Sequence, residues 1–420
     1  MRFIKVFSLS LFSQGFVLLA GFVNSIVITR HLNLDGRGQY ALIMGIITVF
    51  SLVFGDGLYR SNTYLISLNR GNLSRLISNS VVAVGCVGLI LVLISVFIKG
   101  PILVKILPGI DFSLVVIAVI SVVPVIFIRS FIGLFLGLQH YVFFNLLEIL
   151  PIALYCLMNM TLFLHSGFTP HHILVNYLIA MAIFAIAAFL LIIRFEPFRF
   201  KTDRDLGRKS LETGLKSVAS TISLFLLFRV DIFMINYFLG TDQAGIYSIS
   251  VLLSELLQKL ANTSGTVIFP KIAGEKKIEK GKQLSLRVVL FVLVVGVAFA
   301  SILYLFGERI IVFLYTEQFA PAAQPLYWLL PGTVIMAMGK IFLFSLWGRG
   351  FPKITMIVPL SAFFLNIILN LWLIPRLGLV GAAISTSLCY VLFGFGLGGY
   401  FFLHPEMQNA RMELEIGGVE

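Results

Sequence analysis

Long apolar runs, broken by short polar or Gly/Pro-containing stretches, fill the chain from residue 8 to residue 402. A helix needs about 20 mostly apolar residues to cross the hydrocarbon of a bilayer. The runs predict twelve such helices, at 8–29, 40–59, 77–98, 112–133, 144–164, 172–193, 215–239, 245–269, 288–306, 326–347, 354–374 and 379–402. Gly307 to Gln324 is too polar to span and is expected at the interface. The expected fold is an all-α polytopic membrane protein.

Composition supports the pattern. Of 420 residues, 59% are hydrophobic and 12% charged, against roughly 45–50% and about 25% in a soluble domain. Arg2 and Lys5 before an apolar run imitate a signal peptide, but the run continues to Ile28 and reads as a retained first span. Cys86, Cys156 and Cys389 lie far apart in apolar runs and read as buried hydrophobes rather than metal ligands.

The net charge of +12 would raise nucleic acid as a partner in a soluble chain. Here it follows the cytoplasmic Lys/Arg bias of inner-membrane proteins. With the amino end in the cytoplasm, 21 basic residues fall on the cytoplasmic side, 6 on the opposite side and 4 inside spans. Both termini are therefore expected in the cytoplasm, with no nucleic-acid partner.

The chain repeats itself. Leu32, Asp35, Gly38 and Tyr40 recur as Leu239, Asp242, Gly245 and Tyr247, each shifted by 207 residues. Both copies sit in a short turn between two spans. This predicts an amino-terminal six-helix lobe at 1–195, a basic linker at 196–212, a second six-helix lobe at 213–403 and a tail at 404–420. Parallel repeats of six helices are a common transporter plan, with substrate held between the halves.

Catalytic signatures are missing. No Walker A loop is present, since the nearest imitation, Gly274 to Lys282, has the wrong glycine spacing and Gln283 where Ser or Thr is required. The six histidines fall near span ends without metal-ligand spacing. No enzyme, metal or cofactor is expected. The longest outer loop, about 20 residues after Phe306, is too short for the catalytic domain of a membrane glycan polymerase.

Charges inside spans are the candidate chemistry, because each costs about 2.5–3.5 kcal/mol at a helix centre unless it faces water or a partner. Arg229, Lys259, Lys340, Lys216, Arg30, Arg60 and Arg129 are candidates for binding an anion. Asp56, Glu148, Asp231 and Glu255 are candidates for carrying a coupling ion. Asp56 with Arg60 and Glu255 with Lys259 have the i, i+4 spacing of a local pair. Arg229 and Asp231, two residues apart, point about 200° apart on a helix and need a partner from another helix. The charge at membrane depth leans positive. Pro124, Pro331 and Pro359 permit bends within spans. Gly133 with Gly137, and Gly394 with Gly398, have the spacing of close helix contacts.

Several stretches resemble one family. Phe228, Arg229, Asp231, Met234, Asn236, Leu239, Gly240, Gly245 and Tyr247 resemble the mid-chain signature of bacterial polysaccharide-lipid flippases. These are the O-antigen and capsule-unit exporters of the multidrug/oligosaccharidyl-lipid/polysaccharide exporter superfamily. Gly36 to Tyr40, Arg129 to Glu148, and Asn366 to Asn370 followed by Ile374 to Gly378 and Gly381 to Ala383 are similar to further family segments. The chain departs from the pattern at Asn33 and Leu34, where family members usually carry Gly-Pro. Twelve spans favour the O-antigen-like branch over the fourteen-span peptidoglycan-precursor branch.

The resemblance implies a V-shaped pair of lobes with a cationic central cavity and alternating access. The implied substrate is an undecaprenyl-pyrophosphate-linked glycan moved from the cytoplasmic to the periplasmic leaflet. Its implied partners are membrane lipids, H+ or Na+ as coupling ion, and a polysaccharide polymerase. A multidrug exporter of organic cations in the same superfamily is the alternative, and a glycan polymerase the third reading.

Overall fold

The structure is a computed structural model that describes residues 2–97, 105, 107–161, 169–195, 199–274, 277–350 and 352–403. Side chains of residues 2–12, 96, 216–225, 270, 273, 274 and 278 lie outside the described set, as does the tail 404–420. The described residues form helices and no strand. The α-helices are α1 (Arg2–His31), α2 (Leu34–Phe50), α3 (Gly57–Leu68), α4 (Leu73–Phe97), α5 (Phe112–Gly137), α6 (Tyr141–Thr161), α7 (Pro170–Ile192), α8 (Arg204–Leu239), α9 (Thr241–Gly274), α10 (Ile278–Leu314), α11 (Ala323–Trp347) and α12 (Ile354–Leu403).

Nine helical stretches among the described residues are long and apolar enough to cross a membrane. One of them joins α2, a π-helical segment at Ser51–Asp56, and α3 into a single run, Leu34–Leu68. Another is α12, whose 50 residues would measure roughly 75 Å as one rod. It is two spans, merged in helical pattern but broken at Gly378, where φ 60 and ψ −138 reverse the backbone. That conformation favours glycine because it lacks a Cβ. Helices α8 and α9 have 36 and 34 residues, ample length to cross. Their mean hydropathy is lowered by Arg229, Asp231, Glu255 and Lys259. Helix α10 runs 37 residues, about 55 Å, so the polar stretch after Phe306 is helical to Leu314 and then a 3-10 turn at Glu317–Ala322.

The chain packs as two units, Met1–Ile222 and Ser223–Glu420. In the first, the core gathers Leu65 and Ile66 of α3, Leu76 of α4, Phe131 and Phe135 of α5, Ala188 of α7 and Leu206 of α8. Gly133 and Gly137 let α5 lie directly on the α3 backbone, since a Cβ at either would collide with the Tyr59 or Thr63 carbonyl. Thr63 Oγ1 donates to the Gly133 carbonyl at 3.0 Å across that seam.

The charged stretch before α8 is fastened to α4. Ser74 Oγ donates to the Arg199 carbonyl at 3.2 Å and accepts its N–H at 3.1 Å. Ser78 accepts from Lys201 N, and Asn79 both accepts from Asp203 N and donates to its carbonyl. Asp203 caps α8 by accepting the Leu206 N–H at 3.0 Å and pairs with Arg75 at 3.1 Å. Those two interactions, the backbone one foremost, hold its carboxyl below the ordinary carboxylate range. Within the first turns of α8, Ser210 bonds Ser61 at 2.7 Å and Gly214 meets the Gly57 backbone.

In the second unit, Leu227, Leu257, Val292, Ile341, Phe393 and Leu397 belong to one core built from α8 to α12. Gly394 lies against the Ile335 carbonyl and Gly398 against the Phe342 ring. The glycine pairs at 133/137 and 394/398 thus both serve close helix packing.

Candidate functional site

Four charged side chains of the second unit gather at membrane depth. Arg229 of α8 pairs across to Glu255 of α9, Nη2 to Oε2, at 3.3 Å. Lys340 of α11 is buried, with its ammonium 4.8 Å from the centre of the Phe228 ring. It lies within electrostatic range of Glu255 and of Lys259, which is exposed. Phe228 stacks edge-on against Tyr390 of α12 at 5.5 Å. The Phe228 ring presents its π face to the Lys340 ammonium, as the quadrupole favours. Three bases lie with Glu255, and Arg229 is also within electrostatic range of Asp231, so the bases outnumber the acids by one. Guanidinium and ammonium groups in such a place suit a phosphate or other anion.

Asp231, one helical face away, is fully enclosed. Its carboxylate accepts from Tyr247 OH at 2.8 Å, from Ile232 N at 2.8 Å and from Thr386 Oγ1 at 3.3 Å. The donors continue outward. Asn366 Nδ2 donates to Thr386 Oγ1 at 3.3 Å, and Asn370 Nδ2 to Asn366 Oδ1 at 2.8 Å. Asn370 Oδ1 is buried without a hydrogen-bond partner. Arg229 and Asp231 therefore do find their partners on other helices, as their angular separation requires. Oxygen donors from α8, α9 and α12 converge here, a set suited to a proton or a hard monovalent cation.

The first unit holds a counterpart without the carboxylate. Asn159 of α6 donates to Asn24 of α1 at 2.9 Å, and Asn176 of α7 donates to Asn159 at 3.1 Å. Tyr40 and Tyr155 share a hydrogen bond at 3.2 Å. Asn24 and Asp231, Tyr40 and Tyr247, and Asn159 and Asn366 are each 207 positions apart. Helices α2 and α9 begin at Leu34 and Thr241, the same interval. The duplication thus extends to two buried polar networks, one charged and one neutral.

The remaining candidates fall elsewhere. In the first unit Asp56 ends the π-helical segment and pairs with Arg129 of α5 at 2.6 Å. Gly55 brings that segment within van der Waals distance of Arg129 and Ile126. Both acids of the i, i+4 pairs thus make ion pairs across helices. Single π turns recur at functional sites. Tyr59 lies in the field of Asp56, Arg129, Glu148 and the exposed Arg60, so this cluster is balanced in sign. Arg30 is exposed in the last turn of α1, where a cation complements the helix dipole. The Lys216 side chain lies outside the described residues.

A model of the family described as polysaccharide biosynthesis protein matches residues 4–274. The chain belongs to this family. A second model, described as MatE, matches residues 217–372 of this polysaccharide biosynthesis family member. An uncharacterised membrane protein of Methanocaldococcus jannaschii is 26% identical over 261 residues, 59% of this chain and 50% of its own length. A probable low-salt glycan biosynthesis flippase of Haloferax volcanii is 25% identical over 180 residues, 42% of this chain and 38% of its own. The chain thus spans half or less of the length of these curated relatives.

The fold has solved counterparts at 14% identity. An inward-facing multidrug resistance MATE family transporter of the MOP superfamily gives a TM-score of 0.75, covering 94% of this chain and 96% of that one. The lipid II flippase MurJ in an inward closed conformation gives 0.74, covering 98% and 92%. These likenesses show the fold alone; with nine helical stretches among the described residues long and apolar enough to cross a membrane, this polysaccharide biosynthesis family member is a multi-pass membrane protein.

The motifs name Phe228, Tyr247, Asn366 and Asn370 without assigning them to the site, and Thr386 lies outside every motif. Phe228 is the ring beneath Lys340, and Tyr247, Thr386, Asn366 and Asn370 surround or extend from Asp231. Asn366 and Asn370 carried a usable signal: two amides at i, i+4 in an apolar span share one helix face and need partners there.

Proposed function

We propose that the protein flips a lipid-linked oligosaccharide, of the undecaprenyl-pyrophosphate type, from the cytoplasmic to the periplasmic leaflet of a bacterial inner membrane. The observation that carries this reading is the cluster of Arg229, Lys259 and Lys340 beside Glu255. Bases at this depth are costly unless they face water or a partner, and a pyrophosphate supplies a partner of opposite charge. The glycan-flippase relative and the polysaccharide biosynthesis family agree with it. The lobes open alternately to the two sides, while the lipid tail stays in the bilayer.

Asp231 is the coupling residue in this reading, taking H+ or Na+ within its ring of oxygen donors. Exporting each negative charge gains about 2.3 kcal/mol per 100 mV of inside-negative potential, so the ion serves chiefly to return the empty carrier. Both termini face the cytoplasm, and a polysaccharide polymerase acts on the product.

The test is flipping in proteoliposomes of a fluorescent undecaprenyl-pyrophosphate-linked glycan, read by its exposure to a glycosidase added outside. Flipping that vanishes in Lys340→Gln supports the proposal. Efflux of organic cations with no glycan flipping would instead establish the multidrug exporter suggested by the MatE match.

A further inference from the structure

Four helix ends of the second unit meet at a strongly basic corner remote from the interior charges. Gly348, after α11, packs on Phe269 and Ile272 of α9. Ser285 of α10 bonds Ser345 of α11 at 3.0 Å. A Cβ on Gly281 of α10 would lie 3.1 Å from Arg349 Nη2, so the glycine makes room for the guanidinium. Arg349 lies over the Phe401 ring at 5.7 Å and Lys282 over the Phe402 ring at 5.7 Å, both near the end of α12.

Around these seated bases lie Lys271, Lys277, Lys280 and Arg287, all exposed, with Glu279 as the acid among the described residues of this stretch. Helix α10 also starts here, with Lys277 at its N-cap. Side-chain charge and helix dipole therefore favour an anion at the same place. A few residues along the chain, α10 and α12 present Leu290, Phe291, Phe402 and Leu403, all exposed apolar groups. The apolar run of α10 begins after Arg287, so the basic turns lie at the level where hydrocarbon gives way to headgroups.

We propose that this corner binds the headgroup of an anionic phospholipid, with the phosphate between the α10 N-terminus, Lys282 and Arg349 and the acyl chains along Leu290 and Phe291. A loop bias toward Lys and Arg needs only charge on the correct side. It does not call for a guanidinium laid on a ring in a space left by glycine. Clusters of four to eight bases beside a span attract anionic lipid, and here two of them are held in place before any lipid arrives. The proposal does not depend on the transported substrate.

The experiment offers the purified full-length chain equal amounts of phosphatidylglycerol and phosphatidylcholine with matched acyl chains, and counts retained lipid by native mass spectrometry. The expected result is roughly tenfold preference for phosphatidylglycerol, lost in the double variant Lys282→Gln/Arg349→Gln and kept in Lys282→Arg/Arg349→Lys. Equal retention of the two lipids, or a preference unchanged in the glutamine variant, overturns it. Millimolar inorganic phosphate should leave the bound lipid in place; full displacement would identify a free-phosphate site and overturn the lipid assignment. Should the glutamine variant fail to fold by circular dichroism, the wild type decides: added salt should erode the preference, and indifference to salt refutes it.

Discussion

The ammonium of Lys340 on α11 sits 4.8 Å from the centre of the Phe228 ring on α8, inside the apolar interior of the second unit. The arrangement keeps a cation where hydrocarbon would otherwise exclude it. Replacing Phe228 with Leu removes the π face and keeps the bulk. A cation–π contact of about 0.5–2 kcal/mol predicts a two- to thirtyfold loss of glycan flipping in proteoliposomes, and Lys340→Met should lose more. Wild-type rates in both variants would exclude the pair from the headgroup site.

Arg229 and Glu255, at 3.3 Å and partly screened from solvent, should behave as a coupled pair. Each single change, Arg229→Gln or Glu255→Gln, leaves a charge without its partner and should lower thermal stability. The double variant should cost less than the two singles added together, with a coupling energy of about 0.5–3 kcal/mol. Strict additivity in unfolding measurements would show that the pair contributes nothing as a pair.

Asp231→Asn retains a side chain of the same shape beside Tyr247 and Thr386 but loses the charge. The variant should fold, as judged by thermal unfolding, and its flipping should no longer respond to an imposed ion gradient. The repeat supplies the converse. Asn24→Asp places a carboxylate at the equivalent position of the first unit, beside Asn159, and should add a second ion-sensitive step. Unaltered ion dependence in both variants would remove these networks from coupling.

Asp203 gives a pH signature outside the membrane. Its carboxyl is held below the ordinary range by the Leu206 N–H and by Arg75. A depressed value means that the folded state favours the ionised form. Its contribution to stability is complete above the ordinary carboxylate range and lost as pH falls through the lowered value. The difference in melting temperature between wild type and Asp203→Ala should therefore be constant near neutrality and shrink in acid. A difference that persists unchanged in acid would refute the assignment.

Gly137→Val drives a side chain into the Thr63 carbonyl and the Ile66 side chain. Overpacking of this kind costs about 1–3 kcal/mol. Melting temperature should drop, while Gly21→Val, with open space around it, should be neutral.

Much of the fold is written in the apolar runs, because a spanning helix must be apolar over about 20 residues whatever its neighbours. The glycine pairs were also readable, since their spacing alone places them on one helix face. What the runs could not supply is which helices meet. Glu148 reads as a lone acid in the fifth span, and only the packing brings it into the field of Arg129 and Asp56. Asp56 has Arg60 four residues on, but it ends a π turn and reaches Arg129, 73 positions away. The Asp231 network joins residues 155 positions apart through Thr386. Such pairings arise from packing between helices and leave no trace in the spacing along either one.

The fastening of residues 199–203 to α4, and of Ser210 and Gly214 to α3, bears on how the chain could be produced as two separate polypeptides. A cut at 196–198, ahead of the fastened residues, would strip the first fragment of Leu206 and of the Ser210 hydroxyl that Ser61 bonds. It would leave a row of α4 serines and Asn79 facing lipid or water where backbone amides had been. A fragment that keeps everything through Ile222 retains those seams, so the place to divide this protein lies inside a helix and not in the polar stretch before it.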